Sequence, residues 1–251
     1  MTNARASKTA REKSAEMRAQ AARQDARKKN LLVLSAILAV LVVAVGATVL
    51  VRTMSHQKAV ETAATEKPPA GLTPGNGFVV GNADAKVTIT AYEDFQCPAC
   101  AQFEKANREQ IDAWVKAGTV KVEYRPIAFL DEASSTSYST RSLMAAAAVI
   151  DSSPTAFQQF HTLLFENQPA EGGEGLPDGT LVDLAKQAGA DGAAVQAALT
   201  NGTYKGWTAK VTDAFSKAGF NSTPTIVVNG KKVDSYAPEV LKAAVDAALK
   251  G

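Results

Sequence analysis

Two cysteines separated by two residues, Cys97-Pro98-Ala99-Cys100, are the only cysteines among 251 residues. Ahead of them, Val87-Thr88-Ile89-Thr90-Ala91-Tyr92 reads as a strand, β-branched and aromatic with no Gly or Pro. Behind them, Ala101 to Lys116 reads as a helix that sets Phe103, Ala106, Ile111 and Trp114 among charged residues and stops at Gly118. The pair therefore sits where a strand hands over to a helix. Pro98 suits the first helical turn, where its missing N–H would have had no partner. Free backbone N–H groups and the helix dipole favour negative charge at such an end. They favour ionisation of Cys97, and a thiolate attacks disulfides. Cys100, one turn on, can close a ring with Cys97, so the pair can cycle between dithiol and disulfide.

Other uses of the pair fit less well. A zinc site takes about four ligands; this chain offers two Cys and the distant His56 and His161, and no metal is expected. A disulfide that closes so short a ring staples little, because stabilisation grows with loop length. Chance spacing of two core cysteines is the remaining alternative.

The net charge of +2 hides an asymmetry. Residues 1–30 carry nine basic residues, among them Arg5, Arg11, Lys28 and Lys29, against Glu12, Glu16 and Asp25. Without Leu, Ile, Val or an aromatic residue, this tail cannot build a core. Basic tails can bind nucleic acid, but this one holds no recognisable reading helix, and no nucleic acid partner is expected. Its neighbour explains it better. Leu31 to Val51 is an uncharged apolar run, long enough as a helix to span about 30 Å of hydrocarbon. Its length and the long leading tail argue for a retained anchor rather than a cleaved signal peptide. The basic flank places the N-terminus in the cytoplasm and everything after residue 52 outside, where disulfides persist. The expectation is a single-pass protein of the cell membrane. Residues 52–77, broken by Pro68-Pro69, Gly71, Pro74, Gly75 and Gly77, read as a flexible linker.

The folded part is expected over 78–251. A short strand at Phe78-Val80 precedes the strand into the cysteines. Thr119 to Phe129 gives a second alternating strand, so strand, helix and strand make a βαβ unit with parallel strands. A helical stretch follows over about 134–219. Ser153-Pro154 there reads as an N-cap and first position. Phe157, Phe160, His161, Leu164 and Phe165 form an apolar stripe in which His161 is expected to be packed. Gln168–Asp178, with Gly172-Gly173 and Gly175, reads as a loop. Thr225-Ile226-Val227-Val228, the hairpin signal Asn229-Gly230 and Lys231 to Asp234 return the chain to β structure. Pro238 to Lys250 closes it with a helix.

The motifs DFQCPAC (Asp94 to Cys100) and STPTIVVNGKKV (Ser222 to Val233) lie in this order at the two ends of the domain. With the order of elements, they resemble the thioredoxin superfamily, and the helical block resembles its DsbA-like branch. The fold class expected is α/β, a thioredoxin fold with a helical insertion, preceded by a single transmembrane helix. The resemblance implies catalytic positions at Cys97, Cys100 and Pro224, with the Thr223–Pro224 bond cis and facing the cysteines. It implies substrate contacts at Thr223, Pro98 and Ala99, and no cofactor. Many relatives carry an acid six positions before the first cysteine, where Ala91 stands here. Glu93, two residues along the same strand, is the replacement candidate for a proton relay to Cys100; a solvated loop is the other reading of Glu93 and Asp94. The family's strongest oxidants carry His where this chain has Ala99, which points to a less acidic Cys97.

The activity expected is an extracytoplasmic thiol–disulfide oxidoreductase that introduces disulfides into unfolded exported cysteine-containing proteins. A quinone-linked membrane thiol oxidase would reoxidise it. A reductase or isomerase of the same fold and a non-catalytic binding module are the alternatives.

Overall fold

The computed structural model describes residues 68–250. The basic tail, the span at 31–51 and the linker up to residue 67 lie outside the described residues. Among the described residues no helix is long and apolar enough to cross a membrane.

A five-stranded sheet carries the domain, in the order β1-β3-β2-β4-β5. The strands are β1 (Phe78–Val80), β2 (Val87–Glu93), β3 (Val120–Pro126), β4 (Thr225–Val228) and β5 (Lys231–Lys232). Strand β2 lies at the centre because one of its faces is wholly apolar down to its last residue. Val87, Ile89, Ala91 and Glu93 are buried, while Thr88, Thr90 and Tyr92 are half-buried. Helix α1 (Pro98–Lys116) crosses from β2 to β3, and these two strands run parallel, Val87 opposite Val120 and Glu93 opposite Pro126. Strand β4 pairs antiparallel on the other side of β2, Ile89 opposite Val228 and Tyr92 opposite Thr225. The β4–β5 hairpin turns at Asn229 and Gly230, both at positive φ, as a tight two-residue hairpin requires. Asn229 also locks the hairpin to β2 by accepting the Thr88 N–H at 2.8 Å.

The helical insertion comprises α2 (Tyr138–Ser152), α3 (Phe157–Glu166), α4 (Asp178–Gln187), α5 (Gly192–Asn201) and α6 (Lys205–Lys217). Helix α2 is its axis and packs against the other four. Every residue from Ser142 to Ile150 is buried. The run of alanines at 145–148 lets neighbouring helices approach closely, and Leu143, Val149 and Ile150 fill the spaces that remain. Each such large apolar side chain contributes about 1.5–3 kcal/mol on burial. Helix α7 (Pro238–Lys250) returns beneath the sheet on Leu241 and Val245.

Local details depart from the sequence reading. Strand β3 ends at Pro126, short of Phe129. On α1 the buried face is Cys100, Phe103, Glu104, Asn107 and Ile111, while Ala106 is exposed. Two polar residues thus take core positions that an apolar stripe would fill. Asn107 is satisfied there by the carbonyls of Phe103 and Tyr236, at 3.0 and 2.9 Å. Ser153 makes no side-chain cap; its hydroxyl accepts the Asp191 N–H at 3.1 Å instead. The last ten residues of the expected linker lie against the domain. Pro69 is buried, the Ala70 N–H donates to Asp151 Oδ1 at 2.7 Å, and the Thr73 hydroxyl donates to Glu123.

Candidate active site

Cys97 occupies the N-cap of α1 in extended geometry, with Pro98 starting the helix. Its carbonyl accepts the N–H of Cys100 at 3.0 Å and of Ala101 at 3.2 Å, which opens the helix. Both cysteines are free thiols. Cys97 keeps 6% of its surface accessible and Cys100 none, so an incoming sulfur can reach only Cys97. Pro98 is exposed beside it and Ala99 half-buried.

The opposite wall comes from the other end of the domain. The Thr223–Pro224 peptide bond is cis, and the Cys97 thiol donates to the Thr223 carbonyl at 3.4 Å. Thr223 and Pro224 are half-buried, at the head of β4. The sequence-predicted residues Cys97, Cys100, Thr223 and Pro224 therefore meet where β2 ends and β4 begins, at one end of the central strands.

The two sulfurs have opposite acidities. A hydrogen bond from the Cys100 thiol lowers Cys97 from 9.0 to about 6 against the opposing effect of burial. The Thr223 side chain and the N–H groups of Cys100 and Ala99 assist. Burial raises Cys100 well above the ordinary thiol range, and the charges of Glu93 and Cys97 add to this. At neutral pH the accessible sulfur is the thiolate and the enclosed one keeps its proton.

The segment between β2 and Cys97 is held from all sides. Asp94, fully buried, accepts the Gln96 N–H at 2.8 Å, the Leu130 N–H at 2.8 Å and the Ser139 hydroxyl at 2.7 Å. Burial raises its pKa to about 6, and these three donors limit the rise. Gln168, at the end of α3, donates its amide to the carbonyls of Phe95 at 3.0 Å and Cys97 at 2.9 Å. The helical insertion thus grips the redox loop through Ser139 and Gln168.

Glu93 is 1% exposed, which rules out the solvated-loop reading. Its Oε2 lies 3.0 Å from His161 Nε2. His161 Nδ1 lies 3.9 Å from Glu104 Oε2. Burial, then the Cys97 charge, raises Glu93 to about 8; burial, then Glu93, raises Glu104 to about 8. Burial lowers His161 and keeps the imidazole neutral. The ligand atoms of these three lie within 4.8 Å of one another, a spacing that could hold a cation. The Arg108 guanidinium, 3.9 Å from Glu104, already supplies positive charge there, and we read the group as carboxyls sharing protons with a neutral ring.

Sequence reasoning missed Glu104, Gln168 and the pairing of His161. Glu104 alone carried a local signal, since it stands one helical turn after Cys100 on the same face.

The thioredoxin family model matches residues 73–247. The disulfide bond formation protein D of Bacillus subtilis is 30% identical over 176 residues, which cover 69% of this chain and 77% of that protein. The oxidised crystal structure of BdbD from Bacillus subtilis superposes with a TM-score of 0.65 at 28% identity, covering 74% of this chain and 98% of that one. Oxidised DsbA of Mycobacterium tuberculosis gives 0.61 at 32% identity, covering 70% and 93%. The chain belongs to the thioredoxin family, as a thiol–disulfide oxidoreductase of the DsbA-like branch.

Proposed function

We propose that the chain is a membrane-tethered, extracytoplasmic oxidase that introduces disulfides into exported proteins. The direction is carried by the place of Cys97 at the N-cap of α1, where the hydrogen bond from the Cys100 thiol pulls its pKa down to about 6. Stabilising the thiolate stabilises the reduced protein, and a couple whose reduced form is favoured is an oxidant. The name of the Bacillus relative, a disulfide bond formation protein, supports the same direction. The location rests on the apolar run at 31–51 with its basic flank.

The oxidised protein holds a Cys97–Cys100 disulfide. A substrate thiolate attacks Cys97 Sγ, the ring bond breaks, and its electron pair leaves on Cys100. Cys100, with its high proton affinity, takes a proton from Glu93. A second substrate thiolate then attacks the substrate sulfur of the mixed disulfide and expels Cys97 as a thiolate. The substrate gains one disulfide, and two electrons rest on the protein. A quinone-linked membrane partner removes them. The Thr223 backbone, with Pro98, Ala99 and Pro224 around it, receives the substrate as an added strand.

A second reading, a reductase or isomerase fed with electrons across the membrane, is favoured by Ala99, which gives no histidine to hold the thiolate. The potential of the Cys97–Cys100 pair decides. Known couples of this fold run from about −270 mV for thioredoxin to about −120 mV for DsbA. A value toward the oxidising end is expected, and one near thioredoxin's would reverse the direction. In a Cys100→Ala variant the Cys97 thiolate can still attack a partner's disulfide but Cys100 can no longer displace the partner, so mixed disulfides on Cys97 are expected to accumulate and the proteins caught are expected to be exported and cysteine-containing.

A further inference from the structure

We propose that His161 relays protons between Glu93 and Glu104, so that enclosed Cys100 exchanges protons with solvent through the cleft between α1 and α3. The proposal rests on the reading of Glu93 as the proton partner of Cys100.

One leg of the path is a hydrogen bond, and the other is a 3.9 Å approach that a small rotation of the Glu104 side chain must close before a proton crosses. The imidazole turns one nitrogen to each carboxyl, Nε2 to Glu93 at 3.0 Å and Nδ1 to Glu104 at 3.9 Å. Glu93 and His161 are 1% exposed and Glu104 3%, so water does not compete at either contact. A neutral imidazole has one N–H and one bare nitrogen. It can release a proton from one side and accept one on the other, and only its tautomer changes. Phe95, Tyr124, Phe157 and Phe165 surround the ring with centroids 4.4 to 5.8 Å away and hold it between the carboxyls. Glu93 and Glu104 also approach each other directly, a side-chain hydrogen bond that needs a proton on one of them, and one oxygen of each, Glu93 Oε1 and Glu104 Oε1, meets no N–H or hydroxyl donor. A buried carboxylate oxygen without a donor is costly, and a proton on the group relieves the cost.

The outer carboxyl, Glu104, is enclosed, and Arg108 separates it from solvent. Arg108, one turn beyond Glu104, lines a cleft of ≈ 390 Å³ with Ala101, Lys105, Phe165 and Glu166. It lies 3.9 Å from Glu104 and pairs with Glu166, which is exposed, at 2.7 Å. When Cys100 leaves as a thiolate, Glu93 gives it a proton and becomes a carboxylate. His161 Nε2–H refills Glu93, Nδ1 takes the proton of Glu104, and Glu104 regains a proton from a water that enters beside Arg108 when that side chain swings toward Glu166. One proton crosses and no group is consumed. The ionisable neighbours of the relay are Cys97, Cys100, Arg108 and Asp112 on α1 and Tyr124 on β3.

The test measures how fast the oxidised full-length protein oxidises a synthetic two-cysteine peptide, across pH and in H2O and D2O. His161→Gln, Glu104→Gln and Glu93→Gln are compared with the unmodified protein, with folding checked by circular dichroism. General acid–base transfer contributes on the order of 100-fold or more, and partial loss through a bypass gives an expected slowing of about tenfold in His161→Gln and Glu104→Gln. The slowing should grow toward high pH, where protons are scarce, with a changed solvent isotope effect. A purely structural role would lower the rate evenly and leave the pH profile's shape intact; that result in both variants overturns the relay. A profile unchanged in Glu93→Gln sinks the reading beneath it as well, whereas one altered in Glu93→Gln alone sinks only the relay. If His161→Gln does not fold, Glu104→Gln decides. If neither folds, infrared difference spectra of the unmodified protein decide. Two carboxyl bands should respond to reduction of the disulfide, and a single band overturns the relay.

Discussion

Cys97 Sγ lies 3.4 Å from the carbonyl oxygen of Thr223, across 126 residues of sequence. The contact joins the head of α1 to the head of β4. It brings the more accessible of the two cysteine sulfurs against backbone that an extended substrate can pair with.

The first consequence is a pH profile. Alkylation of the reduced protein by iodoacetamide should rise to a plateau with a midpoint near the Cys97 value of about 6. Cys100→Ala should move that midpoint upward, because the Cys100 thiol is the largest cause of the lowering. The stability of the reduced form follows the same group. A lowered pKa stabilises the folded state fully above the unfolded value of 9.0, and the contribution disappears as pH falls through about 6. The oxidised form lacks this contribution, so denaturation curves of the two redox forms should converge in relative terms as the medium is acidified.

Glu104 titrates with the opposite sign. Its value is raised from 4.5 to about 8, so its contribution is fully present below 4.5 and lost as pH rises through about 8. Glu104→Gln carries no charge at any pH. Urea unfolding should show the wild type losing stability between about pH 5 and pH 9, and the variant losing distinctly less.

Asp94→Ala should destabilise both redox forms. It strips the acceptor from the Gln96 N–H, the Leu130 N–H and the Ser139 hydroxyl. Unpaired buried donors cost about 1–3 kcal/mol each, and partial rehydration leaves an expected loss of about 3 kcal/mol or more by urea unfolding. Asp94→Asn, which keeps one accepting oxygen, should lose less.

Gln168→Ala should loosen the redox loop while the fold persists. Two donations to the Phe95 and Cys97 carbonyls disappear, at about 1 kcal/mol of net stability each. Amide hydrogen exchange across residues 95–100 should accelerate and the rate of insulin reduction should fall, with little change in circular dichroism.

Much of this architecture was legible because it is local. A strand, a Cys-x-x-Cys turn and a helix with Pro98 at its start specify one another within thirty residues. The Asn229-Gly230 turn specifies its hairpin in the same way. Thr223 and Pro224 were legible only through resemblance, since no local rule places them opposite Cys97. The buried polar groups were not legible. Glu104 and Asn107 read as the wet side of α1, where Ala106 had been expected to face inward. His161 read as one more member of an apolar stripe, which it is, and its bond to Glu93 spans 68 residues. Gln168 opens a glycine-bearing loop and gives no sign of reaching Cys97. Such pairings arise from how the helical insertion docks on the sheet, and no periodicity in one element encodes its partner in another.

Residues 68–77 run along the domain and are fastened at Asp151 by Ala70 and at Glu123 by Thr73. Asp151 closes the same helix whose first turn carries Ser139, the partner of Asp94. Over its 15 residues that helix is roughly 20 Å long. A pull arriving from the amino-terminal side would meet these two contacts first, and the one at Asp151 lies at the opposite end of that helix from Ser139.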